Sequence, residues 1–124
     1  MAKTEQGGYV VYSVSATTNG SGDATAYTDD PVFGEVESIA YVKTDYANGV
    51  DFTITGETTG LSLWTDTDVN ASETVFPRVV ANLNTDGSAL TTHAPIVLAG
   101  ERVKVVVAQG GATKSGTFRI IVKR

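Results

Sequence analysis

A chain of 124 residues has room for one domain, which can bury about two-thirds of its unfolded surface and so needs no covalent staples. It contains no cysteine, which excludes disulfides and thiolate metal sites and fits folding in a reducing cytosol. Its net charge of −5 is unevenly placed: residues 1–77 hold two bases and twelve acids, a net of −10, while residues 78–124 hold seven bases and two acids, a net of +5.

Thirteen glycines, many threonines and a single methionine argue against helix, and no long window shows helical periodicity. The expected fold is therefore all-β. The first residues include an acid and lack the apolar segment of a signal peptide. No apolar run approaches the roughly 20 residues that cross a bilayer.

Residues 1–8, ending in Gly7-Gly8, read as a flexible N-terminal arm, with one β-sandwich domain over 9–124. Tyr9–Ala16 is the first strand. Asn19-Gly20-Ser21-Gly22 is a turn, and Asp23–Thr28 returns from it, which predicts a first hairpin. Asp29-Asp30-Pro31 ends that strand. Gly34–Lys43 is the next, followed by the turn Tyr46-Ala47-Asn48-Gly49. Val50–Thr55 alternates cleanly, with Val50, Phe52 and Ile54 on one face. After the turn at Gly56–Gly60, Leu61 and Leu63 share a face in Leu61–Thr65, and Trp64 takes the other.

Asp66–Ser72 reads as a polar loop. Val75–Ala81 is a strand interrupted by Pro77, hence an edge or a bulge. Asn82–His93 reads as a long loop, and Pro95–Leu98 as a short strand. Arg102–Ala108 and Thr117–Lys123 predict a final hairpin around the loop Gln109–Gly116. In it Val103, Val105 and Val107 meet Phe118, Ile120 and Val122 on the core side. Eight or nine short strands of this kind imply a single antiparallel β-sandwich of jelly-roll or Greek-key type.

Few constellations here suit catalysis. His93 is the single histidine, and no serine sits in a nucleophile elbow. Asp29-Asp30 and Asp66-x-Asp68 fall in turns, where aspartate caps backbone amides; calcium at Asp66, Asp68 and Asn70 is the weaker option, since the EF-hand glycine and glutamate are missing. Gly110-Gly111 with Lys114-Ser115 has the wrong spacing for a phosphate loop. Trp64, helped by Tyr46, is the one aromatic platform for a sugar. A nucleic-acid face needs interleaved aromatics that the basic third lacks.

The constellation with the clearest physical demand is the outer face of the predicted last hairpin. There Arg102, Lys104 and Val106 alternate with Arg119, Ile121 and Lys123. Like charges opposed across strands destabilise a ladder by up to roughly 1 kcal/mol. Such a row asks for an acidic mate, either the chain's own acidic half or another protein. Arg102, Lys104, Arg119, Ile121 and Lys123 are therefore the candidate interface residues.

Four stretches together carry a resemblance: Asp23–Thr28, Asp51–Gly60, Gly100–Val106 and Ala108–Gly111. The set resembles small virion structural proteins of tailed bacteriophages, of the kind that cement or decorate the capsid. The likeness spans most of the chain but rests on strand-and-turn phrases rather than a catalytic signature, so no binding residue is carried over. It implies a β-sandwich made in the bacterial host cytoplasm and present in many copies on the capsid exterior. Its partners would be the major capsid protein and neighbouring copies of itself, as an oligomer in the assembled particle. No cofactor, metal, nucleic acid, membrane or enzymatic activity is expected. A neck, tail or head-fibre component is the alternative within the virion; a carbohydrate- or receptor-binding module is the alternative outside it.

Overall fold

Apolar residues at every second position force strands to bury one face, and two chain segments dominate that pattern. Val103, Val105 and Val107 are at most 1 % exposed, as are Phe118, Ile120 and Val122. In the computed structural model, which describes residues 3–83 and 85–124, these two rows are the centres of two different sheets. The strands are β1 (Lys3–Gln6), β2 (Tyr9–Thr17), β3 (Ala24–Tyr27), β4 (Val32–Lys43), β5 (Val50–Gly56) and β6 (Ser62–Val69). They continue with β7 (Glu73–Val75), β8 (Arg78–Asn82), β9 (Ala89–Glu101), β10 (Val103–Ala108) and β11 (Ser115–Lys123).

The larger sheet runs β1-β2-β11-β4-β9-β8, with β7 also paired to β4; the smaller runs β3-β10-β5-β6. All pairings are antiparallel. The nested partners β2·β11, β3·β10 and β4·β9, closed by the hairpin β5–β6, are the wrapping of a double-sheet jelly roll. The fold is thus an antiparallel β-sandwich, as its pattern predicts. To the eight-stranded roll the chain adds β1 at one edge, and between β6 and β9 it inserts β7 and β8.

Four aromatic side chains join the layers. Tyr41 and Phe118 come from the larger sheet, Phe52 and Trp64 from the smaller. Phe52 stands with its ring centroid 5.2 Å from Tyr41, 5.1 Å from Phe118 and 4.7 Å from Trp64. Trp64 is buried alongside Leu63, because a register shift between Ile54 and Thr55 lets two successive β6 residues turn inward. Only Leu61 of the expected Leu61/Leu63 face stays exposed.

Tyr46 locks one end of the roll. Its hydroxyl donates to the Ala16 carbonyl at 2.6 Å, and its ring lies so close to Gly116 that a Cβ there would fall 2.3 Å from Cε2. Burial raises its pKa far above the usual tyrosine value. The crossing from β10 to β11 is fastened to the same end. Thr18 Oγ1 donates to the Gly111 carbonyl and accepts from the Lys114 N–H, and Ala47 N–H donates to the Gly110 carbonyl.

Several expectations are corrected by this wrapping. Residues 3–6 of the expected flexible arm form β1, paired with β2 of the same chain; Met1 and Ala2 lie outside the described residues. Asp23–Thr28 does not form a hairpin with the first strand, since β3 pairs with β10. The predicted final hairpin is also absent: β10 and β11 face each other across the core rather than through a ladder. Asp66–Asp68 extends β6, and much of the predicted 82–93 loop belongs to β9.

The two buried tyrosine hydroxyls should behave oppositely. Tyr41 Oη is buried with no hydrogen-bond partner among the described residues, so Tyr41→Phe should leave stability unchanged or raise it. Tyr46→Phe should cost about 1–3 kcal/mol by leaving the Ala16 carbonyl short of a buried donor. Urea denaturation of both variants checks the contrast, and equal losses would contradict it.

Candidate docking surface

The five candidate interface residues are not brought together. The inward rows of β10 and β11 fill one core from opposite sides, so their outward rows lie on opposite faces of the sandwich. Arg102 and Lys104 belong to the outer face of the smaller sheet, and Arg119, Ile121 and Lys123 to that of the larger. The single basic ribbon expected from the sequence does not exist, because jelly-roll wrapping sends consecutive strands to different sheets.

Each basic position also has neighbours from the acidic or neutral part of the chain. Arg102 grips Glu57 with two parallel bonds, Nε to Oε1 at 2.9 Å and Nη2 to Oε2 at 2.5 Å. Its guanidinium also lies 4.4 Å from the centre of the Tyr27 ring. Lys104 stands in register between Tyr27 and Thr55. Arg119 is flanked by Ser13 and Ala40, Ile121 by Val11 and Ser38, and Lys123 by Tyr9 and Glu35. The ion pairs Arg78–Glu37, Arg102–Glu57 and Arg124–Glu5 each join a base of the C-terminal part to an acid of the first 77 residues. Part of the charge asymmetry is therefore met within the fold.

The other candidates are likewise structural. Asp51 Oδ1 accepts the Asp68 N–H, Asp66 Oδ1 accepts the Thr67 N–H, and Asn70 Oδ1 accepts the Gly49 N–H. Among the described residues no group of three or more potential ligands is placed to hold a metal ion. Trp64 and Tyr46 are buried, so neither offers a ring face to a sugar. His93 is an exposed strand residue opposite Val80.

What the sequence reading missed is a surface on β8 and β9. β9 is thirteen residues long, yet β4 pairs only with its second half, from Ile96 onward. The continuation of β4, Ile39–Tyr41, is occupied by β7. Residues 89–95 are therefore left to β8 alone, in a two-stranded ribbon. Arg78 holds the fork where the sheet divides: its guanidinium donates to the carbonyls of Pro77, Val36 and Glu37.

The ribbon begins in step with the core strand and then shifts register between Val80 and Asn82, where β9 carries two extra residues. Leu98 and Ile96, 1 % and 3 % exposed, are followed on the same face by the half-buried Ala94, and beyond the shift Thr92 and Leu90 are both exposed. Val79 lies opposite Ala94 on that face, and Ala81 and Leu83 follow it. Beyond Ile96 this face is open: Val79 is 36 % exposed, Leu83 43 % and Leu90 39 %. Val80 and Val97 are exposed on the reverse face, with Phe76 near the root; Phe33 is exposed over Gly100, toward the other end of β9. Exposed large apolar side chains are thus concentrated on one insertion and its base, the usual mark of an interaction surface. The signal available in the sequence was the 94-96-98 alternation continued backward through Leu90.

No protein-family model and no curated protein matches this chain.

The carboxylates at the end of the smaller sheet predict an acid limb in stability. Glu101 accepts the Thr58 and Thr59 N–H groups and the Thr59 hydroxyl, with the Thr59 backbone bond the main reason its pKa is lowered. Glu57 is lowered chiefly by its bond from Arg102. Lowered carboxyl pKa values give stability that is complete above the ordinary glutamate value of about 4.3 and is lost as pH falls through the folded value. Glu101→Gln should flatten that acid limb in denaturation midpoints measured from pH 7 down to about 3. An unchanged pH profile would contradict this assignment.

Proposed function

We propose that this chain is a structural virion protein that cements or decorates a bacteriophage capsid by binding the lattice of the major capsid protein. The observation that carries the reading is the uncovered apolar ribbon mounted on a well-packed sandwich. A core held by interlocked aromatic rings gives a rigid body, and the ribbon supplies a surface whose burial requires a neighbour. The resemblance of Asp23–Thr28, Asp51–Gly60, Gly100–Val106 and Ala108–Gly111 to tailed-phage cement proteins supplies the kind of assembly. The jelly roll alone does not decide it, since that fold hosts unrelated functions.

On a lattice, many copies let modest contacts add through effective concentration, so no single interface needs to be large. The sandwich rests on the shell, and the ribbon reaches what lies beside it. The outer faces of the two sheets are rich in hydroxyls and mixed charge. Ser15 bonds Thr117 at 3.0 Å and Thr17 bonds Ser115 at 2.9 Å on one of them. Such faces remain soluble when the ribbon is engaged.

Purified protein should bind mature shells prepared without it and raise the temperature at which they release their genome. Shells that ignore the protein, and particles equally robust without it, would overturn the reading. Copy number by gel densitometry separates the positions within a virion: many copies per particle fit the shell, and a single ring's worth fits a neck or tail component.

A further inference from the structure

We propose that the open edge of β8 takes an added strand, supplied by an extended, uncharged segment of the shell subunit on which this chain sits. The identity of that partner rests on the capsid reading above; the demand for a strand rests on the edge itself. An edge strand presents a row of N–H and C=O groups without partners, and such a row pairs with another extended chain unless something blunts it.

The two sheets end in the edge strands β1, β8, β3 and β6, and three of these are blunted. β1 is four residues long and carries Lys3 and Glu5. β3 is also four residues long, with Asp23 before it and Asp29-Asp30-Pro31 shortly after it. β6 is bent by two register shifts against β5 and carries Asp66 and Asp68. Beside the fork, β7 is only three residues long and begins at Glu73. β8 has none of these guards. After Arg78 it runs Val79-Val80-Ala81-Asn82 into Leu83 with no charge, proline or glycine. Arg78 does not screen the row, because its guanidinium is turned toward the carbonyls of Val36, Glu37 and Pro77. Among the described residues β8 pairs with β9 alone.

The ribbon has a second open edge, on the first half of β9 where β4 has parted from it. Pro95, at the root of that edge, has no N–H to give. Farther out, β9 carries two extra residues opposite the Val80–Asn82 step, which break its line. The irregularity falls on β9, so β8 keeps the more regular row of the two.

The edge also states the chemistry of its occupant. Side chains of an added strand stand beside Val79 on one face and Val80 on the other, so the match is an alternation of apolar residues free of charge and proline. A second copy fits less well. Edge-to-edge pairing sets two bodies of net charge −5 side by side, and it covers the edge before the shell is met.

Neighbouring amides of a strand point to opposite edges, so Val79→Pro and Val80→Pro separate the two sides of β8. One change removes an N–H that faces β9 and lowers the urea midpoint of the free protein. The other removes an outward N–H and leaves the midpoint close to that of the natural chain. The stable variant should bind mature shells about tenfold more weakly or worse. Amide exchange gives a reading without any variant: of the Val79 and Val80 amides, one should be slow and one fast in the free protein, and both slow on shells. A stable proline variant that binds shells normally, or a fast amide that stays fast on bound shells, would overturn the added strand and leave the capsid reading standing. Natural protein that ignores shells would overturn both. A mass that rises above 13.0 kDa as the free protein is concentrated, with the fast amide slowing in step, would overturn the proposal and assign the edge to a second copy.

Discussion

The structure depends on one requirement: the apolar inner face of the larger sheet must be covered. The smaller sheet covers it across β2, β11, β4 and the second half of β9, with Phe52 wedged among Tyr41, Phe118 and Trp64 at the centre. Where that cover is present, inner side chains are almost fully withdrawn from water. β9 outruns the cover, and Val79, Leu83 and Leu90 of the ribbon stand exposed to solvent. Apolar side chains are costly to leave wet, at about 25 cal/mol for each Å². The ribbon is thus a two-stranded layer without the second layer that covers the rest of its sheet.

The same wrapping disposes of the charge. A jelly roll nests late strands among early ones, so β10 lies between β3 and β5, and β11 between β2 and β4. Bases from the C-terminal part are carried to acids from the first part, as with Arg102 on Glu57 and Lys123 beside Glu35. These pairs sit on the surface of the roll and offset part of its charge asymmetry, while apolar burial holds the layers together. The fork at Arg78 connects the two: one guanidinium satisfies the carbonyls that the dividing sheet releases and so sets the root of the ribbon.

Most of the strands were legible because alternation is local. Val50–Thr55, Tyr9–Ala16 and the 103-105-107 and 118-120-122 rows all read correctly as buried faces. Pairing was not legible, because it is set by loops that either turn within a sheet or cross between sheets, and both kinds are rich in glycine and polar residues. Asn19–Gly22 and Gln109–Lys114 look like hairpin turns and are sheet-to-sheet crossings, held by Thr18 and Tyr46 from elsewhere in the chain. That single ambiguity produced the basic ribbon that the fold dissolves. Trp64 was misplaced for a smaller reason, a bulge that reverses one step of alternation. The ribbon was hidden by its composition: Asn82–His93 is polar enough to pass for a loop, and Leu83 and Leu90 gain meaning only when β9 continues them into Ile96 and Leu98.

The central claim is that the β8–β9 ribbon is covered in the working state. Hydrogen–deuterium exchange of the amides of residues 89–94, compared between the free protein and the protein bound to shells, tests it directly. Protection that rises on shell binding, while the amides of β10 and β11 stay slow throughout, is the predicted result. Exchange in the ribbon that is equally fast in the free protein and on assembled particles would contradict the account.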